Sequence, residues 1–137
     1  MPSILPGQTY LAKTGSPTDI SKSHLYAVLT EPVDTATRKG CIVWVPWSSV
    51  KEKRFHDATC ILDVGDHPFI IKKTWVNYQR AAIVTAEEIR KNLGRGLLTE
   101  SDPLKDQVLD QMLKGLTASD DTPMEVAQFY DFYLSLP

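Results

Sequence analysis

Cys41-Ile42-Val43-Trp44-Val45-Pro46 is the stretch on which the fold turns. Successive side chains of a strand point to opposite faces. Cys41, Val43 and Val45 therefore share one face, and Ile42 and Trp44 share the other. Both faces are apolar. A strand buried on both sides is central in its sheet or lines a barrel.

Outward from this segment the chain reads as short strands and turns. Downstream, Trp47, Ser48 and Ser49 leave the strand end, and Lys51-Glu52-Lys53-Arg54 forms a charged turn. Residues 58–63 read as the next strand. Gly65 and Asp66 turn the chain before the short apolar stretch Phe69-Ile70-Ile71. Residues 75–84 read as a last strand. Upstream, 33–40 is a polar turn, and Pro32 stops a strand over 24–30. Residues 14–23 hold Gly, Ser, Pro, Asp and Thr, the composition of a loop, and loops of this length are often functional. Residues 8–13 read as the first strand.

After Val84 the hydrophobic period lengthens to that of a helix. Thr85 with Glu88 three residues on is a capping-box pattern, and Gly94 and Gly96 close that short helix. Ser101-Asp102-Pro103 opens a second helix, with the stripe Leu104, Val108, Leu109, Met112, Leu113 and Leu116. Thr122-Pro123 opens a third, with the stripe Val126, Phe129, Tyr130, Tyr133 and Leu136. Met124 and Phe132 fall off that stripe and are candidates for a partner-binding surface, a homodimer being the simplest form. The expected fold is α+β: a small, strongly curved SH3-like β-sheet or barrel, then C-terminal helices. The expectation is one domain over residues 1–137, with a β-rich body at 7–84 and a helical part at 85–136.

Composition excludes several function classes. The chain has 137 residues, 42% hydrophobic and 23% charged, which suits one globular domain and not a disordered chain. No apolar run reaches the roughly 20 residues that span a bilayer, and the N-terminus lacks a signal-peptide pattern, so a cytoplasmic protein is expected. Cys41 and Cys60 fall in predicted strands and are expected as buried free thiols. With no Cys-x-x-Cys, no metal-ligand spacing among the three histidines and no glycine-rich phosphate loop, neither a metal nor another cofactor is expected. Charge is unevenly spread. Residues 1–96 carry 13 basic and 9 acidic side chains, whereas 97–137 carry 2 and 8.

Four residues are candidates for chemistry. His67 follows a turn, and Pro68 holds it extended, which suits a general acid or base near neutral pH. Ser48 and Ser49 offer hydroxyls at a strand end, for a phosphate or simply for the turn's own backbone. Arg80 is a cation on the last predicted strand. A Ser48–His67–Asp66 triad lacks the sequence pattern of a nucleophile elbow. Lys51, Lys53, Arg54, Lys72 and Lys73 lie close in sequence to Trp47, Trp75 and Tyr78. Cations beside aromatic faces suit single-stranded nucleic acid, although tryptophans in the core and lysines on a solvated face would look the same. His24 and His56 belong to no chemical pattern.

The order of elements resembles the PemK/MazF toxin-fold family over about residues 7–117. Gly7-Gln8-Thr9-Tyr10-Leu11 matches the opening strand, and Tyr26-Ala27-Val28-Leu29-Thr30 the second. Ile42-Val43-Trp44-Val45-Pro46-Trp47-Ser48-Ser49 is similar to the third strand with its Pro-x-Thr/Ser-Ser ending. The resemblance implies metal-independent cleavage of single-stranded RNA by the neighbouring 2′-hydroxyl, with Ser48, Ser49, His67 and Arg80 as the catalytic candidates and a small antitoxin-like protein as partner. Three features depart from the family. Its Arg-Pro before the second strand is His24-Leu25 here. Its last-strand arginine and aspartate are replaced by Asn77-Tyr78-Gln79-Arg80, where only Arg80 can serve as the cation, in a shifted register. The third helix is an addition. The alternatives are a non-catalytic protein- or nucleic-acid-binding member of the same fold, which the missing arginine–aspartate pair favours, and an unrelated structural or assembly protein.

Overall fold

The computed structural model describes residues 3–13 and 24–137. The loop expected at 14–23 lies outside the described residues. The sheet strands are β1 (Thr9–Ala12), β2 (His24–Val28), β3 (Cys41–Ser49), β4 (Ile61–Leu62), β5 (Thr74–Val76), β6 (Ala82–Thr85) and β7 (Leu98–Ser101). Three helices accompany them: α1 (Ala86–Gly94), α2 (Asp106–Ala118) and α3 (Met124–Ser135). The fold is therefore α+β, with an antiparallel sheet in the order β4-β5-β3-β2-β1-β7 and β6 also paired to β3. No pairing between β4 and β7 closes the sheet among the described residues.

β3 is the central strand that its sequence demands. It pairs with β2 through Trp44–Pro46 on one side, and with β6 and then β5 on the other. Its two apolar faces enter two separate cores. Cys41, Val43, Val45 and Trp47 join Leu25, Ala27 and Val76 under α2 and α3, which contribute Val108, Met112, Leu116, Val126 and Phe129. On the opposite face, Ile42 joins Ile4, Tyr10, Val28 and Leu98 under Ala86 and Ile89 of α1. Each large apolar side chain so buried contributes about 1.5–3 kcal/mol.

Residues 75–84 form two strands where the sequence suggested one. β5 and β6 run along the same edge of β3, separated by a 3-10 turn at Tyr78–Arg80. The Asn77 N–H still reaches the Pro46 carbonyl at 2.9 Å, so the chain leaves the ladder only after Asn77. Tyr78 drives the break. Its ring sinks between the sheet and α2, where its hydroxyl donates to the Met112 carbonyl at 2.7 Å. The space exists because position 115 is glycine: a Cβ there would overlap the Tyr78 hydroxyl.

Other boundaries also differ from expectation. The strand read at 58–63 is reduced to β4. The helical part contains β7, an edge strand against β1 that the reading missed because Leu98 is its only apolar residue. α2 begins at Asp106 and not near Asp102, because the Asp102 carbonyl is taken by side chains from elsewhere in the fold. Thr85 does cap α1, accepting from the Glu88 N–H at 3.1 Å. Glu88's carboxylate does not complete a capping box but pairs with Arg38 at 2.8 Å. No helix among the described residues is long and apolar enough to cross a membrane.

Candidate functional site

α1 covers only one end of its face of the sheet. Beyond it, β2 and β3 present alternate residues that no helix among the described residues covers. His24 and Tyr26 alternate along β2, and Tyr26 lies directly opposite Pro46 on β3. Ser48 is two residues further on the same face of β3. The 3-10 turn then brings Asn77 and Arg80 to the same place. His24, Tyr26, Pro46, Ser48, Asn77 and Arg80 line one cleft of about 190 Å³.

Tyr26 lines this cleft, and two tryptophans neighbour its lining residues. Tyr26 stacks on Trp44, with centroids 4.3 Å apart and planes inclined by 29°. Trp75 is paired directly with Ser48 across the β3–β5 ladder, and His56 lies 6.3 Å from it. Both tryptophans are half-buried, so part of each ring faces solvent. Lys51, Lys53, Arg54, Lys72 and Lys73 are exposed on the segments that leave β3 and enter β5. The Val50 N–H donates to the Lys73 carbonyl at 3.0 Å and holds these two basic segments together. Phe55 and Ile71 stand exposed among them. The cleft itself gathers a ring, a cation, an imidazole, a hydroxyl and an amide from Tyr26, Arg80, His24, Ser48 and Asn77.

Of the four catalytic candidates, the structure brings two together. Ser48 and Arg80 share the cleft. Ser49 follows on the opposite face of β3, opposite Thr74. His67 is 2% exposed and belongs to the other face, where its ring meets Trp47 edge-on at 5.3 Å. Its Nε2 lies 2.6 Å from the Asp102 carbonyl oxygen, and its Nδ1 accepts from the Phe69 N–H at 3.0 Å. The Thr9 hydroxyl donates to the same carbonyl at 2.6 Å. A carbonyl oxygen thus faces one ring nitrogen and a backbone N–H the other. The ring's hydrogen-bonding capacity is spent on the fold. Tyr78, expected on the nucleic-acid surface, is core instead, and burial pushes its phenol far above the usual range. Met124 and Phe132 are 76% and 41% exposed on α3, which packs on the side of the sheet away from the cleft.

Other polar groups on the helix-covered side are also committed. Asp57 is buried. Burial alone would raise its carboxyl pKa, but hydrogen bonds from the Ser119 hydroxyl at 2.6 Å and from the Thr59 hydroxyl and N–H outweigh it and hold the group below the usual range. The Cys60 thiol is free, and burial pushes it up to about 11, so it is no nucleophile near neutral pH. Cys41 is likewise free and buried. Among the described residues, two buried side-chain atoms lack a hydrogen-bond partner: Trp47 Nε1 and Asn77 Oδ1. A second cavity, of about 430 Å³, is lined by Arg38, Lys39, Thr85, Glu87, Glu88 and Lys91. Its charges are mixed.

Sequence reasoning missed His24, Tyr26 and Asn77 as site residues. Strand alternation carries the signal for the first two. Once β2 is set opposite the Pro46–Ser48 segment, His24 and Tyr26 fall on Ser48's side. No pattern signals Asn77, which depends on the turn that Tyr78 imposes. Comparison with protein-family models, with curated proteins and with solved structures finds no match.

Proposed function

We propose that the His24–Arg80 cleft binds single-stranded RNA and cuts it by attack of a 2′-hydroxyl on the adjacent phosphodiester, without a metal. The observation that carries this reading is the gathering of His24, Ser48 and Arg80 in one cleft between the Tyr26–Trp44 pair and Trp75. Bases stack on exposed aromatic faces with little regard to sequence, and the basic rim follows the backbone. In the reaction, His24 takes the proton of the 2′-hydroxyl as its oxygen bonds to phosphorus. Arg80 and the Ser48 hydroxyl donate to the phosphoryl oxygens as negative charge grows there. The bond to the 5′-oxygen breaks, and that oxygen takes a proton from water. The products are a 2′,3′-cyclic phosphate and a free 5′-hydroxyl. The SH3-like, PemK/MazF-type likeness belongs to the same proposal, supported by the Pro46-Trp47-Ser48-Ser49 ending of β3. Met124 and Phe132 are assigned to a protein contact, with a second copy of the chain as its first occupant.

The test is end-group analysis of labelled single-stranded RNA incubated with the protein in excess chelator. Cyclic-phosphate ends are expected, lost in His24→Ala and in Arg80→Ala. Activity that vanishes with chelator and returns with added metal would overturn the mechanism. A second reading, a module that binds RNA without cutting it, is favoured by one observation. His67, the expected acid–base group, is bound to the Asp102 carbonyl, which leaves His24 as the only imidazole lining the cleft. RNA binding with no cleavage product would establish that reading.

A further inference from the structure

Asn77 lines the cleft yet is 8% exposed, and its Oδ1 has no hydrogen-bond donor among the described residues. Buried polar atoms are nearly always paired, so an orphan acceptor at a site calls for an explanation. Its backbone is fixed on both sides: its N–H reaches the Pro46 carbonyl at 2.9 Å, and its carbonyl accepts from the Arg80 N–H at 3.1 Å. The side chain plays no capping part in the turn it precedes. Asn77 is thus held in place by its backbone while its amide oxygen remains unpaired among the described residues. The last torsion of an asparagine is broad, so its amide edge turns into the cleft without disturbing that backbone.

We propose that Asn77 reads the base of the bound nucleotide, and that the base is adenine. This rests on the RNA reading of the cleft. An asparagine amide sets an acceptor beside a donor, and that pair matches the N6 amine and N7 of adenine. Arg80, Ser48 and His24 hold the phosphate in this arrangement, and Tyr26 or Trp75 stacks the ring. Affinity therefore comes from groups that ignore sequence, and choice comes from one buried amide.

The experiment measures fluorescence anisotropy with short 2′-O-methyl oligo(A), oligo(C) and oligo(U), which cannot be cut by 2′-hydroxyl attack. Wild type is expected to prefer oligo(A) by about tenfold. Asn77→Asp, which offers only acceptors, is expected to move the preference to oligo(C), whose N4 amine donates. Asn77→Ser is expected to flatten the ranking; far-ultraviolet circular dichroism and thermal melts check that both variants fold. Arg80→Ala is expected to weaken all three oligomers alike. Equal wild-type binding to all three, or an unchanged ranking in both Asn77 variants, overturns the assignment of Asn77 while leaving the RNA reading in place. Failure to bind any of the three overturns both.

Discussion

The two faces of the sheet treat their polar groups in opposite ways. Under α2 and α3, three groups that look chemical from the sequence have structural partners, while the indole N–H of Trp47 has none among the described residues. His67 meets the Asp102 carbonyl, Tyr78 meets the Met112 carbonyl, and Asp57 meets Ser119 and Thr59. On the other face α1 stops short. The cleft there keeps Arg80 exposed, His24 half-exposed and Asn77 without a partner for its amide oxygen. A residue's chemistry is available only where no element is packed over it. The helix-covered face should therefore answer mutation with lost stability, and the open face with lost binding.

The largest expected effect is at Gly115. Gly115→Ala puts a Cβ onto the Tyr78 hydroxyl, forces the ring out and breaks its bond to Met112. About 3 kcal/mol of stability should be lost, read by urea denaturation. A loss under about 1 kcal/mol would show that the covered face is loosely packed. His67→Ala comes next. It removes a buried ring and leaves the Asp102 carbonyl short of a donor, which should cost about 2 kcal/mol while RNA affinity stays within twofold. RNA cleavage lost from a fully stable His67→Ala protein would break the comparison outright and return His67 to the reaction.

Asp57 gives a pH test of the same face. Its carboxyl is held below the ordinary range when folded, so its contribution is present above the unfolded carboxyl's pKa, near 4, and is lost as pH falls through the folded value. Stability should therefore decline in acid below about pH 4, and Asp57→Asn should show a shallower decline. Equal slopes in the two proteins, measured by denaturation across pH 2–6, would mean that other carboxylates dominate acid unfolding.

The smallest effects on stability belong to exposed groups. Arg80→Ala should change it by less than about 0.5 kcal/mol and yet cut RNA affinity about tenfold or more. Phe132→Asp should also leave folding nearly untouched while weakening self-association, which sedimentation of both proteins would reveal. A wild-type chain that stays monomeric at high concentration would remove the dimer from the proposal. A Phe132→Asp chain that fails to fold would place Phe132 in the core with Phe129, whose ring lies 6.3 Å away.

These pairs also show how far the sequence reaches. The two-sided apolar pattern of Cys41–Val45 announced the central strand because hydrophobic period depends on local chain geometry alone. The stripes of α2 and α3 were legible for the same reason. The break at 78–80 was not, since its cause, the seat for Tyr78 against Gly115, lies far along the chain. His67 misled because a histidine in a turn looks free until the carbonyl 35 residues later is known. Arg80 and Ser48 were found from a motif and a cation. Their meeting with His24 and Asn77 depends on tertiary register, which no single segment encodes.

The position of β1 bears on how the chain is made. β1 lies between β2 and β7, and the Thr9 hydroxyl ends on the Asp102 carbonyl. During translation one edge of β1 therefore waits without its neighbour until residues 98–101 have left the ribosome. At ordinary elongation speeds that interval is roughly 5 to 20 seconds. Throughout it the nascent chain carries an unpaired strand edge beside apolar residues that α2 and α3 have yet to cover, the state in which new chains stick to one another. Pairing of β1 is completed only once β7 has been made, and a chain cut before residue 98 would keep an open strand edge.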